Sequence, residues 1–242
     1  MKVCFGIICI GTKYLQEFNE FFRPSVESYC NKYGYSLKVF DTFLDSTNKH
    51  PCLISFQKAL IPTQDCMKEY DLVVILDADI YINKHAPPIH TLELNGKIGM
   101  VNELSQIPHD KREFLKIEPP NIYYGRNGFV ISDDIYLNSG LIICNPKTHG
   151  PILKTIYDKY SGGASLSASP FHYEQSCIGG YLIEKNLITQ IPAEWNHIYM
   201  FDKLLLRRTG NYNFMHFAGV HGYKRINHLR TFLVISQLMV GK

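Results

Sequence analysis

Asp77 and Asp79 stand one residue apart directly after Leu72 to Leu76, an unbroken apolar run rich in β-branched residues. Such a run reads as a strand buried on both faces, as in the middle of a parallel sheet. In open α/β sheets ligands sit beyond the carboxyl ends of the strands. The two carboxylates are therefore expected at the rim of the sheet, close enough to repel. A divalent cation shared with the phosphates of a ligand relieves that repulsion, and Mg²⁺ is commonly held this way. The plain alternative is a solvated turn, because the pair alone is a short motif.

The elements that must position this pair follow from hydrophobic periodicity. Val3 to Ile10 is predicted as the first strand, with Gly11 and Thr12 turning the chain. Tyr14 to Tyr33 reads as an amphipathic helix with Leu15, Phe18, Phe22, Val26 and Tyr29 inward, kinked at Pro24 and stopped by Gly34. Ser36 to Phe40 is a second strand, Asp41 to Pro51 a polar loop, and Cys52 to Glu69 a helix bent at Pro62. The Asp77 strand completes a β-α-β-α-β opening without GxGxxG, a nucleotide-binding α/β half lacking the dinucleotide fingerprint.

Lys97 to Asn102 is a further short strand, and Glu103 to Asn127 an irregular excursion expected to cover the active site. Asn138-Ser139-Gly140 reads as a turn entering a buried strand at Leu141, and Pro146 opens a helix through about Tyr160. Ser161 to Ser169 is a Gly/Ser/Ala stretch read as a mobile loop. Then come a helix from Tyr173 to Asn186, a strand from Leu187 to Ile191, a last strand from Asn213 to Phe217, and a helix from Lys224 to Val240.

Composition narrows the function classes. A chain of 242 residues with 45% hydrophobic residues can bury a large core. A formal charge of +3 without a long basic run argues against a nucleic-acid partner. Seven cysteines, an odd number with no CxxC or CxxH spacing, argue against zinc and against a full disulfide framework. A reducing, cytoplasmic setting fits best. The apolar start reads as a strand and not as a signal sequence, and no apolar run approaches the ~18 residues of a membrane span.

Five separated signals fall in a specific order: Asp77-Ala78-Asp79, Asn138-Ser139-Gly140, Glu174-Gln175, Trp195-Asn196 and His216-Phe217-Ala218-Gly219. The arrangement resembles the nucleotide-sugar-dependent glycosyltransferases with the DxD motif, over about Lys2 to Lys224. It is most similar to the small retaining galactosyl-, glucosyl- and xylosyltransferases of the glycogenin-like group, and in its compactness to glycosyltransferases of large DNA viruses. The resemblance implies a single α/β GT-A type Rossmann-like domain over residues 1–242, with a central mostly parallel sheet flanked by helices. Residues 1–102 would form the nucleotide-binding half, and residues 103–242 the acceptor-binding half with the C-terminal helix. For a viral chain the expected setting becomes the host cytoplasm.

The resemblance also implies roles for particular residues. Asp77, Asp79 and His216 would hold Mn²⁺ (or Mg²⁺), with Asp77 facing either the ribose or the metal. Gly11, Thr12 and Tyr14 would receive the base of a UDP-sugar donor, with Tyr14 stacked on the uracil. Lys58 would reach the donor sugar and phosphate, Asn138 and Ser139 would sit beside the sugar, and Gly219 would let backbone approach the phosphate. Such enzymes usually carry a lysine five or six positions after the metal-binding histidine, where this chain has His221 and Gly222. Lys224 is the nearest lysine. Glu174 would orient a sugar hydroxyl, and the amide of Gln175 would support the oxocarbenium-like carbon. Trp195 and Asn196 would wall the site of a glycan or glycoprotein acceptor.

Two rival readings stay open on the residues alone. One is a phosphatase of the haloacid dehalogenase type, whose DxD usually follows the first strand, whereas here it follows the third. The other is a non-catalytic sugar-nucleotide or glycan-binding module on the same fold. An inverting transferase would in addition need a carboxylate base, for which Glu103, Asp110 and Glu174 are available.

Overall fold

The computed structural model describes residues 1–47, 54–132, 134–163, 173–206, 211–219 and 222–240. The chain opens with β1 (Val3–Ile8), then α1 (Thr12–Glu17), a π-helical turn (Phe18–Phe22) and α2 (Arg23–Tyr33). The single helix expected here is divided by this π turn before Pro24. Pro24 sits in the first turn of α2, where a proline lacks only an N–H that would have no intrahelical partner. Gly34 closes α2 in the left-handed conformation, φ 69°.

After β2 (Ser36–Phe40), the expected helix across Pro62 is instead a run of 3₁₀ turns, Ser55–Thr63 and Asp65–Met67. Proline cannot donate to an i−4 carbonyl, and the shorter turns accommodate it. Next come β3 (Leu72–Leu76), β4 (Ile80–Ile82) and β5 (Ile98–Asn102). The excursion beyond β5 is built of 3₁₀ turns at Glu103–Gln106 and His109–Lys111, followed by α3 (Pro120–Gly125).

β6 spans Leu137–Cys144 and is buried throughout. Asn138, Ser139 and Gly140 are thus inside a strand and not in a turn before it, a correction with consequences for the site. Asn-Ser-Gly carries strong turn propensity, but tertiary pairing on both sides overrides it. Then follow α4 (Pro146–Tyr160), α5 (Tyr173–Glu184), β7 (Ile188–Ile191), β8 (His197–Ile198), α6 (Tyr199–Leu204), β9 (Phe214–His216) and α7 (Tyr223–Val240). The loop expected from Ser161 to Ser169 lies outside the described residues beyond Gly163.

The main sheet runs β2-β1-β3-β6-β5-β7. The β1–β2, β1–β3 and β5–β7 pairs are parallel, and only β6 runs antiparallel to its neighbours β3 and β5. A second sheet, β4-β9-β8, pairs Ile80 with His216. The central strands are apolar on both faces because both faces are covered. Val73 and Ile75 pack with Phe56, Leu153 and Ile178 on one side. Leu72, Val74 and Leu76 pack with Phe18, Phe22, Phe214 and Phe232 on the other. The architecture is the α/β one expected, a mostly parallel central sheet flanked by helices. Among the described residues no helix is long and apolar enough to cross a membrane.

Candidate active site

β3 ends at Leu76, and Asp77 and Asp79 follow at its carboxyl end. The backbone N–H of Asp77 donates to the Gly140 carbonyl of β6 at 2.9 Å, so the first aspartate is still held by the sheet. The short β4 then pairs with β9 and brings His216 back beside both carboxylates. His216 Nε2 lies 3.3 Å from Asp79 Oδ1 and 3.9 Å from Asp77 Oδ2. Potential ligand atoms of Asp77, Asp79 and His216 all lie within 4.8 Å of one another. Two carboxylates and an imidazole suit a divalent cation such as Mn²⁺. A side chain on Gly140 would destroy this geometry, because a Cβ there would stand 2.2 Å from His216 Cε1.

Each of the three residues is also held by a partner. Lys58 is buried and donates to Asp77 Oδ1 and, at 3.3 Å, to the Ser139 carbonyl. Glu174 Oε1 lies 3.9 Å from the Lys58 ammonium. Burial alone would lower the Lys58 pKa, but the charges of Asp77 and Glu174 outweigh it and hold the ammonium above its ordinary value. Arg225 Nη1 donates to Asp79 Oδ2 at 2.8 Å, and Arg225 Nε donates to Glu17. Burial opposes ionisation of Asp79, yet His216 and Arg225 prevail and hold its pKa below the usual carboxylate range. His216 Nδ1 is 2.9 Å from Asn196 Oδ1.

Arg225, bonded to Asp79, is a candidate site residue that the sequence reading missed. Lys224, named instead, is exposed, while Arg225 is buried. Neighbouring helix positions point about 100° apart, so a helix that turns Arg225 inward turns Lys224 outward. The signal available was an arginine in the first turn of a helix nine residues after His216, but no spacing rule distinguishes it from a surface arginine. Tyr14 is likewise engaged, because the Arg225 guanidinium lies 5.1 Å from its ring centroid. Burial first, then the Asp79 charge, raises its phenol pKa well above the ordinary value.

Other expected site residues fall into different positions. Asn138, expected beside the donor sugar, and Asn196, expected on the acceptor side, are both buried and bonded to one another at 2.7 Å. Trp195 is buried against Phe214, ring centroids 5.3 Å apart, and walls no open site. A lone tryptophan three residues after a proline carries no sequence signal that separates a core ring from a platform. Gly219 has φ 73°, a left-handed conformation, and nothing stands within 4 Å of where its Cβ would be. Gly11, with φ 103°, and Thr12 are exposed at the start of α1.

Ser139 is buried, and its hydroxyl lies 3.4 Å from Glu174 Oε1. The Ser139 backbone N–H donates to Gln175 Oε1 at 3.1 Å, which fixes that amide's orientation, because an N–H can only donate. Gln175 Nε2 is buried and finds no partner among the described residues. The amide thus presents Nε2 as a donor, while Oε1 keeps a second lone pair. Burial pushes the thiols of Cys4, Cys9, Cys30 and Cys144 up to about 12, which disfavours their reactive thiolate forms.

No protein-family model matches the chain, and no curated protein matches it in sequence. Solved structures do match its fold. One is a glycosyltransferase involved in the glycosylation of the major capsid of PBCV-1, with TM-score 0.65 and 17% identity over 94% of this chain and 99% of that one. The galactosyltransferase LgtC, solved with donor and acceptor sugar analogs, gives TM-score 0.60 and 13% identity over 98% and 95%. The bifunctional glycosyltransferase WbbM gives TM-score 0.61 and 15% identity over 94% of this chain and 49% of that one. The fold of this chain is the GT-A fold of these glycosyltransferases.

Proposed function

We propose that this chain, built on the GT-A fold, is a metal-dependent glycosyltransferase that moves a sugar from a UDP-sugar to a hydroxyl of a glycan or glycoprotein, with retention. The observation that carries this reading is the convergence of Asp77, Asp79 and His216 within 4.8 Å at the carboxyl end of a central strand. The structural neighbours supply the reaction class, since each is a glycosyltransferase. Residues 1–102 would bind the nucleotide, and residues 103–242 would complete the acceptor side.

A cation held by Asp77, Asp79 and His216 supplies Lewis-acid stabilisation for the diphosphate that leaves with negative charge. The remaining work falls to the chain's own groups. Lys58 and Arg225 are buried cations that orient Asp77 and Asp79. Arg225 helps keep Asp79 ionised, whereas burial outweighs Lys58 at Asp77 and holds its pKa above the ordinary value. Positive φ at Gly219 lets the backbone turn in open space beside β9, where a phosphate could approach. Gln175 Nε2, a buried donor without a partner among the described residues, would bond a donor-sugar hydroxyl next to Glu174 and Ser139. Transfer with retention lets the leaving phosphate take the acceptor proton, so no carboxylate base is required.

The test is a panel of UDP-sugars with and without Mn²⁺. Thermal shift reads binding through mass action, and NMR reads the anomeric configuration of the product. The expected result is a shift for one UDP-sugar that needs the metal, and a product with the donor's configuration. No shift for any nucleotide sugar would overturn the donor assignment; an inverted product would overturn retention.

A further inference from the structure

We propose that Glu103, Asn138 and Asn196 are positioning residues for His216, forming a hydrogen-bond relay that fixes which imidazole nitrogen faces Asp77 and Asp79. The relay rests on the metal reading above for its purpose, but its geometry stands independently.

The direction of each bond follows from groups that have no choice. The Gly140 N–H can only donate, and it donates to Asn138 Oδ1 at 2.8 Å. That sets the Asn138 amide, so its Nδ2 points the other way and donates to Glu103 Oε2 at 2.7 Å. Asn196 Nδ2 donates to the same Asn138 Oδ1 at 2.7 Å. The oxygen of Asn196 is then the atom facing His216 Nδ1 at 2.9 Å, and an oxygen there requires a proton on Nδ1. With the proton on Nδ1, the nitrogen turned to Asp79 Oδ1 at 3.3 Å is Nε2. A histidine ligand uses a lone pair on one nitrogen, and the bond made by the other nitrogen selects it.

Burial argues that this chain of amides has a purpose beyond folding. Asn138, Asn196 and His216 are 4%, 0% and 4% exposed. Desolvated polar chains are costly unless fully satisfied, and apolar side chains of the same volume would serve a core as well. Asn196 is further pinned through its backbone, because Gln106 Nε2 donates to its carbonyl at 2.9 Å while Gln106 Oε1 accepts from Ile198 N–H at 2.8 Å. Glu103, on the 3₁₀ turn after β5, accepts from the Asn138 amide. Gly140 acts at both ends of the argument: its N–H sets the polarity, and its missing Cβ leaves room for the imidazole.

The experiment uses the full chain, Mn²⁺ alone, and histidine-ring ¹⁵N NMR. In the metal-free wild type at alkaline pH, the proton of His216 is expected on Nδ1. In Asn196→Ala it is expected to move to Nε2, where Asp79 accepts it. Mn²⁺ affinity, read from the EPR signal of free Mn²⁺, should fall about 10–100-fold in Asn196→Ala. Glu103→Ala should lower it less, and Glu103→Gln should restore it to within about twofold, because a carboxamide oxygen still accepts from Asn138. A wild-type His216 carrying its proton only on Nε2 would overturn the relay, and so would wild-type Mn²⁺ affinity in Asn196→Ala. Equal behaviour of Glu103→Ala and Glu103→Gln would remove Glu103 from it. Failure of the wild type to bind Mn²⁺ would overturn the metal reading instead, and the Nδ1 measurement would still decide the relay.

Discussion

Arg225 donates through Nη1 to Asp79 Oδ2 at 2.8 Å, joining the C-terminal helix to the second carboxylate of the Asp-x-Asp pair across 146 residues of sequence. The same guanidinium bonds Glu17 at the end of α1. One buried side chain therefore ties both ends of the chain to the centre of the candidate site. Breaking a buried ion pair from one side strands its partner. Arg225→Met should cost about 3–5 kcal/mol of unfolding free energy by urea titration. It should also make Mn²⁺ raise the apparent Tm more than in the wild type, because Asp79 then lacks its internal counter-charge. A loss under about 1 kcal/mol would show that the pair contributes no more than a surface bridge.

The depressed Asp79 pKa has a pH consequence with a definite sign. A carboxylate whose folded pKa lies below its unfolded value contributes stability at pH above the unfolded value. That contribution is lost as pH falls through the folded value. The metal-free wild type should therefore lose stability on acidification below about pH 4 more steeply than Asp79→Asn. Parallel stability curves for the two proteins would contradict the shift.

Gly140 tests whether His216 is placed by packing. The Cβ of Gly140→Ala would stand 2.2 Å from His216 Cε1 and 2.6 Å from Nδ1. The ring has to move. The expected outcome is a folded protein destabilised by about 1–3 kcal/mol, with Mn²⁺ affinity reduced at least as far as in Asn196→Ala. Calorimetric Mn²⁺ titration at wild-type affinity would mean that His216 is not a ligand.

Gln175 separates donor binding from turnover. Its Nε2 finds no partner among the described residues, an arrangement that costs about 1–3 kcal/mol unless another group uses it. Gln175→Met should leave UDP affinity within about twofold and lower turnover of the UDP-sugar about 100-fold, since it removes a contact to the sugar and not to the nucleotide. Equal losses for UDP and for UDP-sugar would place the amide on the nucleotide instead.

Much of this protein was determined locally. The short, β-branched-rich apolar run Leu72 to Leu76 read as a buried strand, and carboxylates directly after such a strand lie at the rim where α/β folds bind ligands. The strand at Ile188–Ile191 and the helix from Tyr223 were legible from the same periodicity. Tertiary structure decided what periodicity does not encode. Asn138, Ser139 and Gly140 carry turn propensity, yet the pairing of Asn138 with Val101 of β5 and the Asp77 N–H bond to the Gly140 carbonyl draw them into β6 and bury the amide. Asn196 and Trp195 read as site residues, but the return of β9 beside β4 consumes one in bonds and the other in the core. Between Lys224 and Arg225 the choice depended on the rotation of one helix about its axis, set by the packing of Leu229 and Phe232 into the core. Sequence carries the residue types that a site needs. Which atom of each is left over for a ligand depends on hydrogen bonds closed between strands and helices far apart in the chain.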